Sequence, residues 1–181
     1  MTELHVLIAD DEKNIREGLG RALELEDYTV HLAEDGKEAL AMVQSTAIDL
    51  VISDLRMPRM SGEEVLKAVV SSYPNIPVII LTGHGTVENA VAAMRGGAYD
   101  FLTKPVNLDR LSLLVKRALG NRLLALENEN LRTEVKKIEQ SRQQHRLLGK
   151  SEAMQKINNL IEQVASSRAS VLITGESGVG K

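Results

Sequence analysis

Five short runs of apolar, mostly β-branched residues, each followed by an amphipathic stretch, constrain this chain more than any other feature. The runs are Leu4–Ala9, Thr29–Ala33, Leu50–Ser53, Val78–Leu81 and Tyr99–Leu102. Several are continuously apolar, as strands buried on both faces of a parallel sheet are. Between the runs, Ile15, Leu19, Ala22 and Leu23 fall on one helical face, and Val65, Leu66, Val69 and Val70 on another. Asp35 and Ser61 each stand three residues before a glutamate, Glu38 and Glu64, which is the spacing of a capping box. A fourth helix is expected from about Thr86, closed by Gly96-Gly97. Right-handed crossovers turn such a (βα)5 repeat into an α/β domain over residues 1–119. Its sheet is doubly wound, parallel and five-stranded, with strand order 2-1-3-4-5.

Composition sets the limits. The chain has 181 residues, room for one domain of ordinary size and something more. Aromatic content of 2% means the cores must be aliphatic. A net charge of −3 without a basic block argues against nonspecific nucleic-acid binding by this stretch. Without cysteine there are no disulfides and no thiolate chemistry, which is compatible with a reducing cytosol. The amino end lacks the charged-then-apolar pattern of a signal segment, and no apolar run approaches the roughly 20 residues of a membrane span. A cytoplasmic protein without a membrane partner is expected.

The candidate chemistry lies at the carboxyl ends of the strands. Asp10 and Asp11 close the first strand and Asp54 closes the third, and these two strands flank the point where the winding reverses. Three carboxylates in one crevice repel by about 4 kcal/mol per pair at ~4 Å and an effective dielectric of ~20, so they call for a cation. Magnesium suits few carboxylates and phosphate company. The fourth strand delivers Thr82 to the same edge and the fifth delivers Lys104. A hydroxyl, an ammonium and a metal around one nucleophilic carboxylate describe a phosphoryl site.

These residues resemble the receiver domain of two-component response regulators. The match runs from residue 4 to 119. It rests on Asp10-Asp11, on Asp54 followed by Met57-Pro58 and Gly62, on Thr82-Gly83 and on Lys104-Pro105. The resemblance implies a flavodoxin-like fold and a phosphoryl group passed to Asp54 from a phosphohistidine on a sensor histidine kinase. It implies magnesium held by Asp10, Asp11, Asp54 and the backbone carbonyl of Arg56, and phosphoryl contacts from Thr82 and Lys104. Thr82 and Phe101 are the implied switch residues, Phe101 standing where family members often carry Tyr, and the Lys104-Pro105 bond is cis in the family. Such a domain is a regulatory phosphoacceptor and not an enzyme in the usual sense.

From about Asn107 to about Arg146 one helical pattern continues. Steps of four and three residues give Asn121, Leu124, Asn128, Leu131, Val135 and Ile138 as a coiled-coil seam, with Leu124, Leu131 and Ile138 at d and the others at a. Asparagine at a favours a parallel dimer in fixed register. Residues 120–146 therefore read as a dimerising linker, with Gly120 as the joint. Past Gly149, Ser151 can cap a helix whose apolar face is Met154, Ile157, Leu160, Ile161 and Val164. A strand over Ser170–Thr174 then leads into Gly175-Glu-Ser-Gly178-Val-Gly180-Lys181, which fits the Walker A spacing.

Residues 147–181 resemble the opening of the AAA+ domain of nitrogen-regulatory-type activators. The resemblance implies ATP binding, sigma-54 RNA polymerase and enhancer DNA as properties of a longer protein. So short a piece cannot bury its own core, and ATPase activity is expected only in the full-length protein. Two other classes fit part of the pattern. A haloacid-dehalogenase-type phosphatase also uses Asp, Thr and Lys, but needs Asp-x-Asp on its first strand, where this chain has Asp10-Asp11-Glu12. A dimerising scaffold with an unused pocket would bind no magnesium.

Overall fold

The sheet forms in the expected order, β2-β1-β3-β4-β5, with every neighbouring pair parallel. In the computed structural model, residues 3–83, 87–144, 151–165 and 172 are described, with the backbone alone at 87–90 and 138–144. The strands are β1 (His5–Ala9), β2 (Thr29–Ala33), β3 (Leu50–Asp54), β4 (Val78–Thr82) and β5 (Asp100–Thr103). The helices between and after them are α1 (Lys13–Glu24), α2 (Gly36–Ser45), α3 (Gly62–Ser72), α4 (Val87–Arg95), α5 (Leu108–Gln144) and α6 (Glu152–Ala165). β3 and β4 each run one residue beyond the apolar pattern. Asp54 and Thr82 are thus the last residues of their strands and keep ladder pairing.

Strand alternation divides the core in two. Leu7, Ala9, Val51 and Ile80 meet the apolar faces of α2, α3 and α4. Val6, Ile8, Ile52, Ile79 and Leu81 meet Leu19 and Leu23 of α1 and Leu111, Val115 and Ala118 of α5. Each fully buried Leu or Ile contributes about 1.5–3 kcal/mol relative to exposure, and an aliphatic core of this size needs no aromatic filling.

Capping follows the sequence with one variation. Ser61 and Glu64 form a reciprocal capping box on α3. Asp35 accepts from Glu38 N at 2.9 Å, but the Glu38 carboxylate reaches past the cap to Glu34 N, at 2.8 Å. Gly97 ends α4 at φ +92°, a left-handed position that glycine adopts without strain. The expected starting point of α4 at Thr86 and the end of α5 at Arg146 lie outside the described residues.

Two compact units divide the chain, Met1–Leu131 and Arg132–Lys181. Within the second, α6 begins as expected at Ser151, whose hydroxyl accepts from Met154 N at 3.3 Å. Its Ile157, Leu160 and Ile161 are exposed. The strand expected over Ser170–Thr174 and the segment 147–150 lie outside the described residues, apart from Leu172. Among the described residues no helix is long and apolar enough to cross a membrane.

Candidate functional site

Register brings the strand ends together. Ala9 pairs with Ser53, Asp54 with Leu81, and Thr82 with Thr103. The ladder extends one bond past β5, where Lys104 N donates to Thr82 O at 2.8 Å. The next peptide, Lys104-Pro105, is cis. Asp10 follows β1 directly and is fully buried, while Asp54 and Thr82 are 7% and 3% exposed.

Lys104 is the electrostatic centre. Its Nζ lies 2.8 Å from Asp10 Oδ2, 2.9 Å from Asp54 Oδ2 and 3.1 Å from Glu12 Oε1. Burial alone pulls an ammonium down, yet the adjacent Asp10 carboxylate and the charge and hydrogen bond of Asp54 outweigh it and hold Lys104 above the usual lysine value. Burial likewise pushes the Asp10 carboxyl up, against the opposing pull of Lys104 and the Glu12 amide. Asp10 Oδ1 accepts from Glu12 N at 2.9 Å. Asp10 Oδ2 is close to the ammonium but off hydrogen-bond geometry, so this buried oxygen has no directed donor.

An open pocket of about 400 Å³ lies over these groups, and its wall includes Asp11, Arg56, Thr82 and Gly83. One oxygen each from Asp10, Glu12 and Asp54 lie within 4.8 Å of one another. Three hard oxygen donors, one of them buried without a directed hydrogen bond, fit a hard divalent cation of the magnesium type.

Of the residues expected from sequence, Asp10, Asp54, Thr82 and Lys104 converge, and Arg56 and Asp11 line the pocket. Asp11 is exposed and stands outside the close carboxylate trio, where Glu12 takes the third place. Glu12 was legible only as the last acid of Asp10-Asp11-Glu12. It is the N-cap residue of α1, yet its side chain makes no capping bond and reaches Lys104 instead. Phe101 pairs with Ile80 and packs, partly buried, against the α2–α3–α4 side of the core.

Two glycines bring the surrounding loops close. A Cβ at Gly62 would overlap the carbonyl oxygen of Asp54 and sit 2.9 Å from its carbonyl carbon, so only glycine lets α3 start against the end of β3. A Cβ at Gly36 would overlap the carbonyl of Met60. The connection from β3 to α3 is fastened by Arg59, itself at φ 65°, which pairs with Glu34 at 2.7 Å and with Asp35.

On the linker, Leu124, Leu131 and Val135 are 59%, 53% and 53% exposed, and Asn128 donates to the Leu124 carbonyl of its own helix at 3.1 Å. The Ile138 side chain lies outside the described residues, as do Gly175, Gly178, Gly180 and Lys181.

Residues 6–116 match the response regulator receiver domain, and residues 147–181 match the sigma-54 interaction domain. The chain belongs to the response regulator receiver family. Its relatives include the nitrogen assimilation regulatory protein NtrX of Azorhizobium caulinodans, 37% identical over 97% of this chain and 38% of that protein. The DNA-binding transcriptional regulator NtrC of Salmonella typhimurium is 38% identical over 97% of this chain and 36% of its own length. The chain thus spans less than two-fifths of the length of the curated relatives it matches. Among solved structures, NtrX from Brucella abortus superposes with a TM-score of 0.69 at 34% identity, covering 92% of this chain and 35% of that one. A receiver domain protein from Clostridium thermocellum gives 0.64 at 35% identity, covering 67% of this chain and 98% of that one. The flavodoxin-like fold and the receiver reading are thereby established, and receiver domains generally use magnesium in such an acidic pocket.

Proposed function

We propose that Asp54 accepts a phosphoryl group from the phosphohistidine of a sensor histidine kinase. An Asp54 carboxylate oxygen attacks phosphorus, and the P–N bond to the donor imidazole breaks with its electron pair left on nitrogen. Lys104 and the Thr82 hydroxyl neutralise the equatorial oxygens, where charge is spread in the transition state. Asp10, Asp11 and Asp54 with the Arg56 carbonyl would hold magnesium, Glu12 being placed to assist. When bound, the ion supplies further charge for those oxygens. The observation that carries this reading is the Lys104 ammonium shared between Asp10 and Asp54 beside Thr82, at the floor of an open pocket. Thr82 and Phe101 share one face of adjacent strands, β4 and β5, and serve as the switch pair.

The organisation we propose is a receiver over 1–119, a dimerising linker over 120–146 with its seam at Leu124, Asn128, Leu131, Val135 and Ile138, and the start of an AAA+ domain over 147–181. In the longer protein that domain would bind ATP through Gly175, Gly178, Gly180 and Lys181 and act on sigma-54 RNA polymerase from enhancer DNA, in the cytoplasm. Neither the phosphatase nor the inactive-scaffold reading gains support from the relatives.

The test is incubation with magnesium and acetyl phosphate, followed by intact-mass measurement beside Asp54→Ala. A single phosphate adduct, absent in the variant and hydrolysed by base, is expected. No adduct together with no magnesium binding refutes the assignment.

A further inference from the structure

The last fully enclosed core residue of α5 is Leu119, yet the helix does not part from the sheet there. Asn121 Nδ2 donates to Tyr99 Oη at 3.0 Å. Arg122 donates through Nε and Nη2 to Asp49 Oδ1 at 3.2 and 3.0 Å, and through Nη1 to the Asn75 carbonyl at 2.8 Å. The other Asp49 oxygen accepts from His5 N at 2.9 Å, which ties β1 into the same knot. One turn further, Leu126 walls a cavity of about 390 Å³ with Tyr73 and Ile76. Glu129 then accepts from Asn75 Nδ2 at 3.4 Å. Asp49, Asn75 and Tyr99 stand just before β3, β4 and β5, on the edge of the sheet opposite the acidic pocket. The Arg122 and Asp49 side chains are only 15% and 19% exposed, so this ion pair is largely withdrawn from water.

Helical periodicity gives this arrangement its meaning. Arg122, Leu126 and Glu129, spaced by four and three, occupy one stripe, and Leu124, Asn128 and Leu131 occupy the opposite side. With Leu124 at d, the docking stripe falls at heptad positions b, f and b, on the outside of a two-stranded coil.

We infer that the outer face of residues 121–129 is a docking surface for the chain's own receiver, held by the Arg122 fork. This clasp makes the first turns past Gly120 part of the receiver body and fixes which side of the helix turns toward a partner helix. It engages Asn121 but leaves the seam from Leu124 onward uncovered, so clasp and dimer are compatible. The claim about azimuth rests on the proposed seam. The clasp itself does not.

The experiment is amide hydrogen exchange on the full 181-residue chain carrying Leu131→Asp, a seam charge that keeps the helix monomeric, with sedimentation to report association. Amides 121–130 are expected to exchange at least about tenfold more slowly than amides 132–137. Arg122→Ala and Leu126→Ala should abolish that difference, with β3 and β4 amides unchanged as the control for folding. Arg122→Lys, which keeps charge but loses the planar fork, should fall between. Uniform exchange along α5 beyond Gly120, or protection indifferent to Arg122→Ala, overturns the clasp. A parent chain that sediments as a monomer refutes the seam and leaves the exchange result to judge the clasp.

Discussion

Lys104→Met isolates the charge of the central ammonium, because methionine keeps most of the side-chain volume. The Asp10 and Asp54 oxygens lie within 4.8 Å of each other, and Lys104 is 10% exposed over them. Two carboxylates about 4 Å apart repel by about 4 kcal/mol at an effective dielectric of ~20. Removing one partner from a buried ionic cluster costs about 3–5 kcal/mol. The pocket is open on one side and admits water, so a loss of about 3 kcal/mol is expected at neutral pH in EDTA. With no tryptophan in the chain, the assay is urea unfolding followed by far-UV circular dichroism. Two further readouts identify the cause. The Asp10 carboxyl already sits above its ordinary value through burial, and losing Lys104 raises it further. A carboxyl with a raised folded-state pKa stabilises the fold on protonation, so the deficit should shrink as pH falls toward that value. Magnesium should also restore stability by mass action, about 2.7 kcal/mol at a hundredfold excess over its dissociation constant. A variant within about 0.5 kcal/mol of the parent refutes the compensating role of the ammonium. A full-sized loss indifferent to both acid and magnesium makes it a packing defect.

Gly62→Ala should destabilise by about 3 kcal/mol or more, because its Cβ meets the backbone of Asp54, which cannot swing aside as a side chain would; thermal unfolding measures it. Gly120→Ala has the opposite sign: nothing lies within 4 Å of the added carbon, so helix propensity alone acts. It should raise stability by up to about 1 kcal/mol, or roughly 2–4 °C in Tm. Ser61→Ala removes the α3 cap and should cost about 1 kcal/mol in urea unfolding. The backbone hydrogen bond from Ser61 holds the Glu64 carboxyl below its ordinary value. Its contribution is therefore present above the unfolded value of about 4.3 and lost as pH falls through the folded one. The gap in urea midpoint between the parent and Glu64→Gln should accordingly be open at neutral pH and close in acid.

Periodicity carried the fold because burial on both faces left short apolar runs, and their regular alternation with amphipathic stretches is the pattern of a parallel α/β sheet. The capping residues Asp35 and Ser61 and the closure of α4 at Gly96-Gly97 followed from local chemistry, whereas the strand order came from the doubly wound pattern as a whole. The site was legible wherever a strand delivers a residue to one edge, as with Asp10, Asp54, Thr82 and Lys104. It was less legible where position depends on how a helix begins. Asp11 and Glu12 are adjacent acids, and the first turn of α1 sends Glu12 to Lys104 and leaves Asp11 on the pocket wall. Nothing in the spacing distinguishes the two. Asn121 shows the same limit on the linker: it fits the seam by period, but its amide is engaged by Tyr99, a partner 22 residues earlier in sequence.

The placement of Asp49 and Asn75 bears on how a change at the pocket could reach the linker. β3 carries Asp54 at one end and is preceded by Asp49 at the other, and β4 carries Thr82 and follows Asn75. Both are five-residue strands, buried throughout and paired to each other in register. At the opposite edge Arg122 links the residue that precedes β3 to the loop that leads into β4, by bonding Asp49 and the Asn75 carbonyl together. A helix held by one strand alone would follow that strand, whereas a helix held by both feels their relative displacement. That geometry gives the linker a reason to be fastened at the base of β3 and β4.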